Sequence, residues 1–245
     1  MKFRLTTSEF YTVGVAVFLL DHIGLYFFTD NLWSRVLRLF APAWFFPCGY
    51  NAGWKSSWRV WAGALILVAA DLLTGAPPLP LSALPTIIAT RLAIVPLMEF
   101  AEKSRLRFWA AAAVMAALLP LAAQVSEYGT LGMLFAMFGW LVRHRGQVFE
   151  GSRGTLFFAS CITVLYLAFN QWMLGFSLLQ FAVAAVPVVA VVALLWDFRA
   201  MVAEELRRGR APGFVPAAVR WVAHNSLGIY VAHLVAFRLY YFLTA

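Results

Sequence analysis

The sequence predicts an all-α fold, a polytopic transmembrane helical bundle in which residues 1–245 form one integral-membrane domain. Three observations predict it. Of 245 residues, 63% are hydrophobic and only 12% charged, whereas soluble domains carry about 45–50% apolar and about 25% charged residues. The mean hydropathy is +0.79. Apolar runs of about 20 residues, the length that crosses a hydrocarbon core, recur along the whole chain. That much apolar surface does not fit inside one water-soluble core of this size. The composition also excludes a disordered or collagen-like chain.

About nine spans follow from the length criterion. The run 8–28 comes after Lys2 and Arg4, as in a signal peptide, but it is long, holds an Asp-His pair and lacks a small-x-small cleavage site. It reads as a retained first helix. The second span, 32–50, contains Pro42 and Pro47. With the short fourth and sixth spans it is expected to be kinked, tilted or incompletely spanning. Span 57–75 follows, then a rigid extended loop, 77–85, carrying Pro77, Pro78, Pro80 and Pro85. Spans 86–101, 106–124, 128–143, 154–174 and 176–198 come next. A charged extension of the eighth helix, 198–210, ends at Gly209, Pro212 and Gly213, and the ninth span is 215–242. Cys48 and Cys161 both lie in apolar stretches and read as packing residues rather than a disulfide.

The loops fix an orientation. With the N-terminus cytoplasmic, the inner ends hold Lys2, Arg4, Lys55, Arg59, Lys103, Arg105, Arg107, Arg143, Arg145, Arg153, Arg199, Arg207, Arg208 and Arg210. The outer loops around 29–31, 76–85, 125–127 and 175 hold no Lys or Arg. This positive-inside pattern places the C-terminus outside. It also accounts for most of the net charge of +8 without nucleic acid.

Asp21, His22, Arg35, Arg38, Asp71, Arg91, His224, His233 and Arg238 remain inside spans. An ionisable group in a bilayer costs several kcal/mol unless paired or hydrated, so each is a candidate site residue or a helix-helix ion pair. At ~1.5 Å per residue, His22 lies roughly 9 Å below the outer end of its span. By the same measure Arg38 is about 9 Å deep, Asp71 about 6 Å, Arg91 about 9 Å and His233 about 13 Å. Five helices thus place ionisable groups in one slab nearer the outer face, as a shared polar cavity requires. Arg35 and Arg38 are three apart and share a face, able to grip one anion or carboxylate. Asp21 and His22 are adjacent, about 100° apart on a helix, so the partner of His22 is expected from another helix. Ser226, Tyr230 and His233 share a face of the ninth span. His224 points the other way.

The run Phe18-Leu19-Leu20-Asp21-His22-Ile23-Gly24, with Tyr26-Phe27-Phe28, resembles the Asp-His-Ile-Gly signature of the TraX family of polytopic membrane proteins. Leu37-Arg38-Leu39-Phe40-Ala41-Pro42, followed by Phe45, Gly49 and Tyr50, is similar to that family's Arg-x3-Pro block, with Leu37 where Gly is usual. Glu127-Tyr128-Gly129 with Gly132 resembles its acidic-Tyr-Gly element, and Ile229-Tyr230-x-x-His233-Leu234 its Tyr-x-x-His-Leu ending. The resemblance runs in order from residue 18 to 234. It implies acetyl transfer from acetyl-CoA to an amine, as in N-terminal acetylation of conjugative pilin. A broader membrane acyltransferase superfamily also uses a first-helix His, preceded by a basic residue about three turns earlier; this chain has Glu9, Phe10 and Tyr11 there.

The residue chemistry suits acyl transfer. Imidazole titrates near neutrality and takes a proton from an attacking amine or hydroxyl, and an Arg in a low-dielectric cavity stabilises an oxyanion or holds a phosphate or carboxylate. The expected catalytic residues are His22 as general base, Arg38 as electrostatic stabiliser, and Asp21. Asp21, Asp71 or Glu127 would orient the His or hold the acceptor's ammonium. Arg35, Arg91, Tyr230 and His233 complete the substrate-binding set, with the last two closing the site. The basic inner loops would hold the nucleotide end of CoA. The expected acceptor is a pilin-type or other peptide N-terminus in the envelope, or less favourably a saccharide, and the expected setting is the bacterial inner membrane. No metal is expected, because no His-Glu pair has ligand spacing, and no Gly-x-Ser-x-Gly elbow is present. The rival readings are a proton-coupled transporter using the same residues as a relay, and a non-enzymatic membrane assembly factor.

Overall fold

The computed structural model describes residues 7–28, 32–53, 56–149, 152–198 and 217–244. Among these residues the chain is helical, with no strand. Its helices are α1 (Thr7–Phe27), a 3-10 helix (Leu32–Phe40), α2 (Pro42–Tyr50), α3 (Trp58–Leu73), α4 (Ala83–Ala101), α5 (Arg105–Val125), α6 (Leu131–Arg143), α7 (Arg153–Leu174), α8 (Leu178–Trp196), a short helix (Ala217–His224) and a last helix (Ser226–Thr244). Six of them are long and apolar enough to cross a membrane. Their outward surfaces carry large apolar side chains such as Leu106, Leu118, Leu156, Leu178 and Val186. In water such surfaces would aggregate; in lipid they are the solvated face. The chain is a multi-pass helical membrane protein.

Two expected spans are corrected. Span 32–50 is not one helix: a 3-10 segment ends at Phe40, and α2 begins at Pro42. Proline has no N–H to continue the ladder and fits the first helical position, where that donor is unused. Span 215–242 is likewise broken, at Asn225 between His224 and Ser226. His224 therefore belongs to a separate short helix, where it is exposed. The charged extension 199–210 lies outside the described residues. Elsewhere the helix ends sit within three residues of expectation, and serine caps explain several starts. Ser57 accepts from Arg59 N, Ser104 from Arg107 N, and Ser177 forms a reciprocal capping box with Gln180.

The centre of the bundle is α6, whose residues from Leu131 to Val142 are nearly all buried, the pattern of a helix surrounded by others. It packs most extensively against α2, and the approach is at backbone distance. A Cβ on Gly49 would overlap the Ala136 carbonyl oxygen, and one on Gly139 would overlap the Phe46 carbonyl oxygen. Only glycine at both positions permits this crossing. It fixes α2, and with it Trp44, Phe45, Pro47 and Cys48.

The first and last helices run side by side in the same direction. Their contacts advance in step: His22 stacks on His233 and, one turn on in both helices, Tyr26 packs on Phe237. Phe27 then meets Tyr240.

Candidate functional site

The pairing of the first and last helices places His22 Nδ1 2.7 Å from His233 Nε2. The rings lie 4.9 Å apart at 26°. Phe18 stacks on His233 at 5.2 Å, and Tyr230 meets Phe18 edge-on. The imidazole pair is thus enclosed by aromatic rings from the same two helices.

The proton positions follow from the acceptor at the end of the chain of bonds. His233 Nδ1 lies 2.8 Å from the Ile229 carbonyl oxygen. A carbonyl only accepts, so Nδ1 carries the proton and donates it there. Neutral His233 then presents an unprotonated Nε2, which accepts from His22 Nδ1–H. His22 is left with its basic lone pair on Nε2. This is the orienting role that a carboxylate performs in other dyads, here filled by a second imidazole held by a backbone carbonyl. The partner of His22 Nδ1 does come from another helix.

His22 lines a cavity of about 240 Å³. Its walls come from α1, α2, α3, α4, the segment before α6 and the last helix. Apolar groups dominate, among them Phe18, Trp44, Phe45, Ile87 and Leu227. The polar groups are Tyr11, Asp21, His22, Cys48, Arg91, Glu127, Tyr128, Ser226 and Tyr230. Such a chamber, mostly apolar with a few convergent polar groups, is the usual form of a ligand site.

Local structure explains how Glu127 and Tyr128 enter it. Leu81 N–H donates to the Val125 carbonyl and Glu127 N–H to the Leu81 carbonyl, a two-residue bridge between the proline loop and the end of α5. Thr86 Oγ1 donates to the Glu127 carbonyl. Tyr128 then adopts φ 66°, unusual for a bulky residue, and turns its ring onto Phe45 at 5.3 Å.

The other charges are disposed differently. Asp21 Oδ1, in a residue 4% exposed, is ion-paired with Arg35 Nη1, in a residue 6% exposed, at 2.8 Å, and Arg35 Nη1 donates to the Asp21 carbonyl at 2.9 Å. This pair ties the 3-10 helix to α1. Asp71 accepts from Arg238 Nε at 2.8 Å, and Arg238 Nη1 donates to the Leu67 carbonyl at 3.0 Å. Asp71 is absent from the cavity wall. Arg91 is in that wall; its Nε is enclosed by protein with no hydrogen-bond partner. The Arg38 side chain lies outside the described part of the structure. Among the described residues, no three His, Cys, Asp or Glu side chains gather as a metal site would need.

Of the expected site residues, the structure brings Asp21, His22, Arg91, Glu127 and Tyr230 to one cavity and sets His233 behind His22. Arg35 and Asp71 are engaged in pairs beside it. Tyr11, Trp44 and Tyr128 also line the cavity, without having been assigned a role there. Arg238 was legible as an intramembrane charge five residues after His233, but its partner was not. A second hollow, of about 280 Å³, lies at the far end of α6, lined by Arg145, Gly146, Ser152, Thr155 and Trp196. The Arg145 guanidinium donates to the Trp196 carbonyl there and sits over its ring. No family model, curated protein or solved structure matches this chain.

Proposed function

We propose that this chain is a membrane-embedded acetyltransferase of the TraX type, moving an acetyl group from acetyl-CoA to an amine such as a pilin-type peptide N-terminus. The observation that carries the reading is the His22–His233 dyad at an apolar cavity: a buried imidazole with its proton fixed on Nδ1 is a general base ready at Nε2. The sequence blocks that suggested the family supply the dyad, Tyr230, Glu127 and Tyr128. In acid-base terms, His22 Nε2 takes a proton from the acceptor amine as its nitrogen attacks the thioester carbonyl carbon. The C–S bond then breaks, and the proton returns to the departing thiolate. Arg38 balances the oxyanion. His233 and the Ile229 carbonyl stabilise the charged His22. Asp21 holds the 3-10 helix that carries Arg38. Glu127 and Tyr230 bound the acceptor side.

The cavity, about 240 Å³, has room for an acetyl group and the end of a pantetheine arm. The nucleotide end would stay at the basic inner loops, where the hollow of Arg145, Ser152 and Thr155 offers a cation, two hydroxyls and the start of α7. In this reading the three shorter elements, 32–50, Trp58–Leu73 and Leu131–Arg143, join the six long helices as crossings, nine in all. The N-terminus is cytoplasmic, the C-terminus outside, and the membrane the bacterial inner membrane. The parallel run of the first and last helices supports an odd number of crossings.

Mass spectrometry of envelope peptides from cells with and without the intact chain tests the function. One acetyl increment on an amine, present only with the chain, is expected. No increment, together with gradient-driven uptake by proteoliposomes independent of acetyl-CoA, would replace acyl transfer by transport.

A further inference from the structure

Asp21 is paired with Arg35 and Asp71 with Arg238, while Glu127 lines the same cavity as His22. Arg91 is different. It lies midway along α4, at cavity depth, and makes no ion pair among the described residues. Its Nε is enclosed without a hydrogen-bond partner. Asp21 and Glu127 line the same cavity, but among the described residues neither lies within ion-pair distance of Arg91. The rest of the wall around it is largely apolar, with Phe18, Trp44 and Ile87 among its members. A guanidinium does not lose its charge in a protein. Leaving that charge half-desolvated without a counter-ion is costly. A catalytic oxyanion exists only transiently and does not offset this cost in the resting complex. A fixed anion on the bound substrate does.

We propose that Arg91 selects the acceptor: the site takes a peptide amine with a carboxylate side chain in its first two residues, the carboxylate on Arg91 and the amine toward His22. The inference rests on the acetyl-transfer reading and names its substrate class. The guanidinium supplies the planar pair of donors that a carboxylate accepts. Because both groups line one chamber, a single short peptide reaches both.

The test is a panel of synthetic peptides that differ only at residue two, with Gly-Glu, Gly-Gln and Gly-Lys starts, supplied with radiolabelled acetyl-CoA to the full-length protein in proteoliposomes. The wild-type chain is expected to prefer Gly-Glu over Gly-Gln by about tenfold or more in kcat/KM. Arg91→Gln should abolish the preference, and Arg91→Glu should invert it toward Gly-Lys. Thermal unfolding of each variant in detergent separates misfolding from altered choice, and the Gln variant carries the test if the Glu variant does not fold. Equal use of Gly-Glu and Gly-Gln by the wild type overturns the inference and leaves acetyl transfer standing. Labelling of phosphatidylethanolamine in the vesicles in preference to every peptide also overturns it, in favour of a lipid phosphate on Arg91. No labelling of any amine overturns the acetyl-transfer reading itself.

Discussion

Replacing Arg35 with methionine isolates the contribution of the buried Asp21–Arg35 pair. Both side chains are below one-tenth exposed, and the guanidinium serves both the carboxylate and the carbonyl of Asp21. The substitution keeps the side-chain bulk but leaves a buried carboxylate without its cation. Removing one partner of a buried pair costs about 3–5 kcal/mol, mostly the penalty of the stranded charge. For a chain of this size that corresponds to a fall in Tm of roughly 6–20 °C. In the double variant Arg35→Met, Asp21→Leu the stranded charge is gone, and an apolar replacement of a buried pair is often neutral. Its Tm is expected to return at least halfway to that of the parent. Thermal unfolding of the purified protein in detergent micelles, followed by intrinsic tryptophan fluorescence, reads both values. If the single variant stays within about 2 °C of the parent, or if the double variant is no better than the single, the pair does not bind the 3-10 helix to α1 as described.

Other substitutions give separate expectations. Gly49→Val drives side-chain atoms into the Ala136 carbonyl and should cost at least about 3 kcal/mol, the upper end for overpacking, whereas Gly53→Ala meets nothing within 4 Å and should stay within about 0.5 kcal/mol; chemical unfolding compares them. Arg238→Met unpairs Asp71 and releases the Leu67 carbonyl. It is expected to loosen the last helix, seen as faster proteolysis near the C-terminus. His233→Leu removes the acceptor for His22 Nδ1–H and should lower acetyl transfer about 5- to 150-fold, the equivalent of about 1–3 kcal/mol for a lost buried partner. His233→Gln, which offers an amide oxygen near the position of Nε2, should recover part of that loss.

The residues that announced the site were those whose chemistry disagrees with lipid. Asp21, His22, Arg91 and His233 stood out because an ionisable group in an apolar run needs a reason, and depth alone suggested that they meet. A carboxylate, Asp21, Asp71 or Glu127, was expected to orient His22, but its Nδ1 meets His233, while Asp21 pairs with Arg35. Pairing between helices was not legible. Nothing in the spacing distinguishes Asp71 with Arg238 from Asp71 with Arg91, because partner choice depends on which helices pack together. The register of the first and last helices, which joins His22 to His233, comes from ring packing across residues more than two hundred apart in sequence. Gly49 belongs to a resembled motif and Gly139 to none, and that both serve the crossing of α2 and α6 is visible only where the two helices meet at their carbonyls. The break at Asn225 carried no proline to mark it, so an apolar run read as one helix became two. Tyr128 lay in a recognised motif, yet its left-handed backbone follows from the bridge between Leu81 and Ser126, which sequence periodicity does not reveal.

The role of His22 can be measured directly. Membranes containing the parent chain or His22→Ala are supplied with radiolabelled acetyl-CoA and an acceptor peptide, at matched protein level and matched Tm. With His22 as the general base, transfer in the variant falls about 100- to 10,000-fold. Full transfer by His22→Ala would contradict the assignment of His22 and remove the dyad from the mechanism.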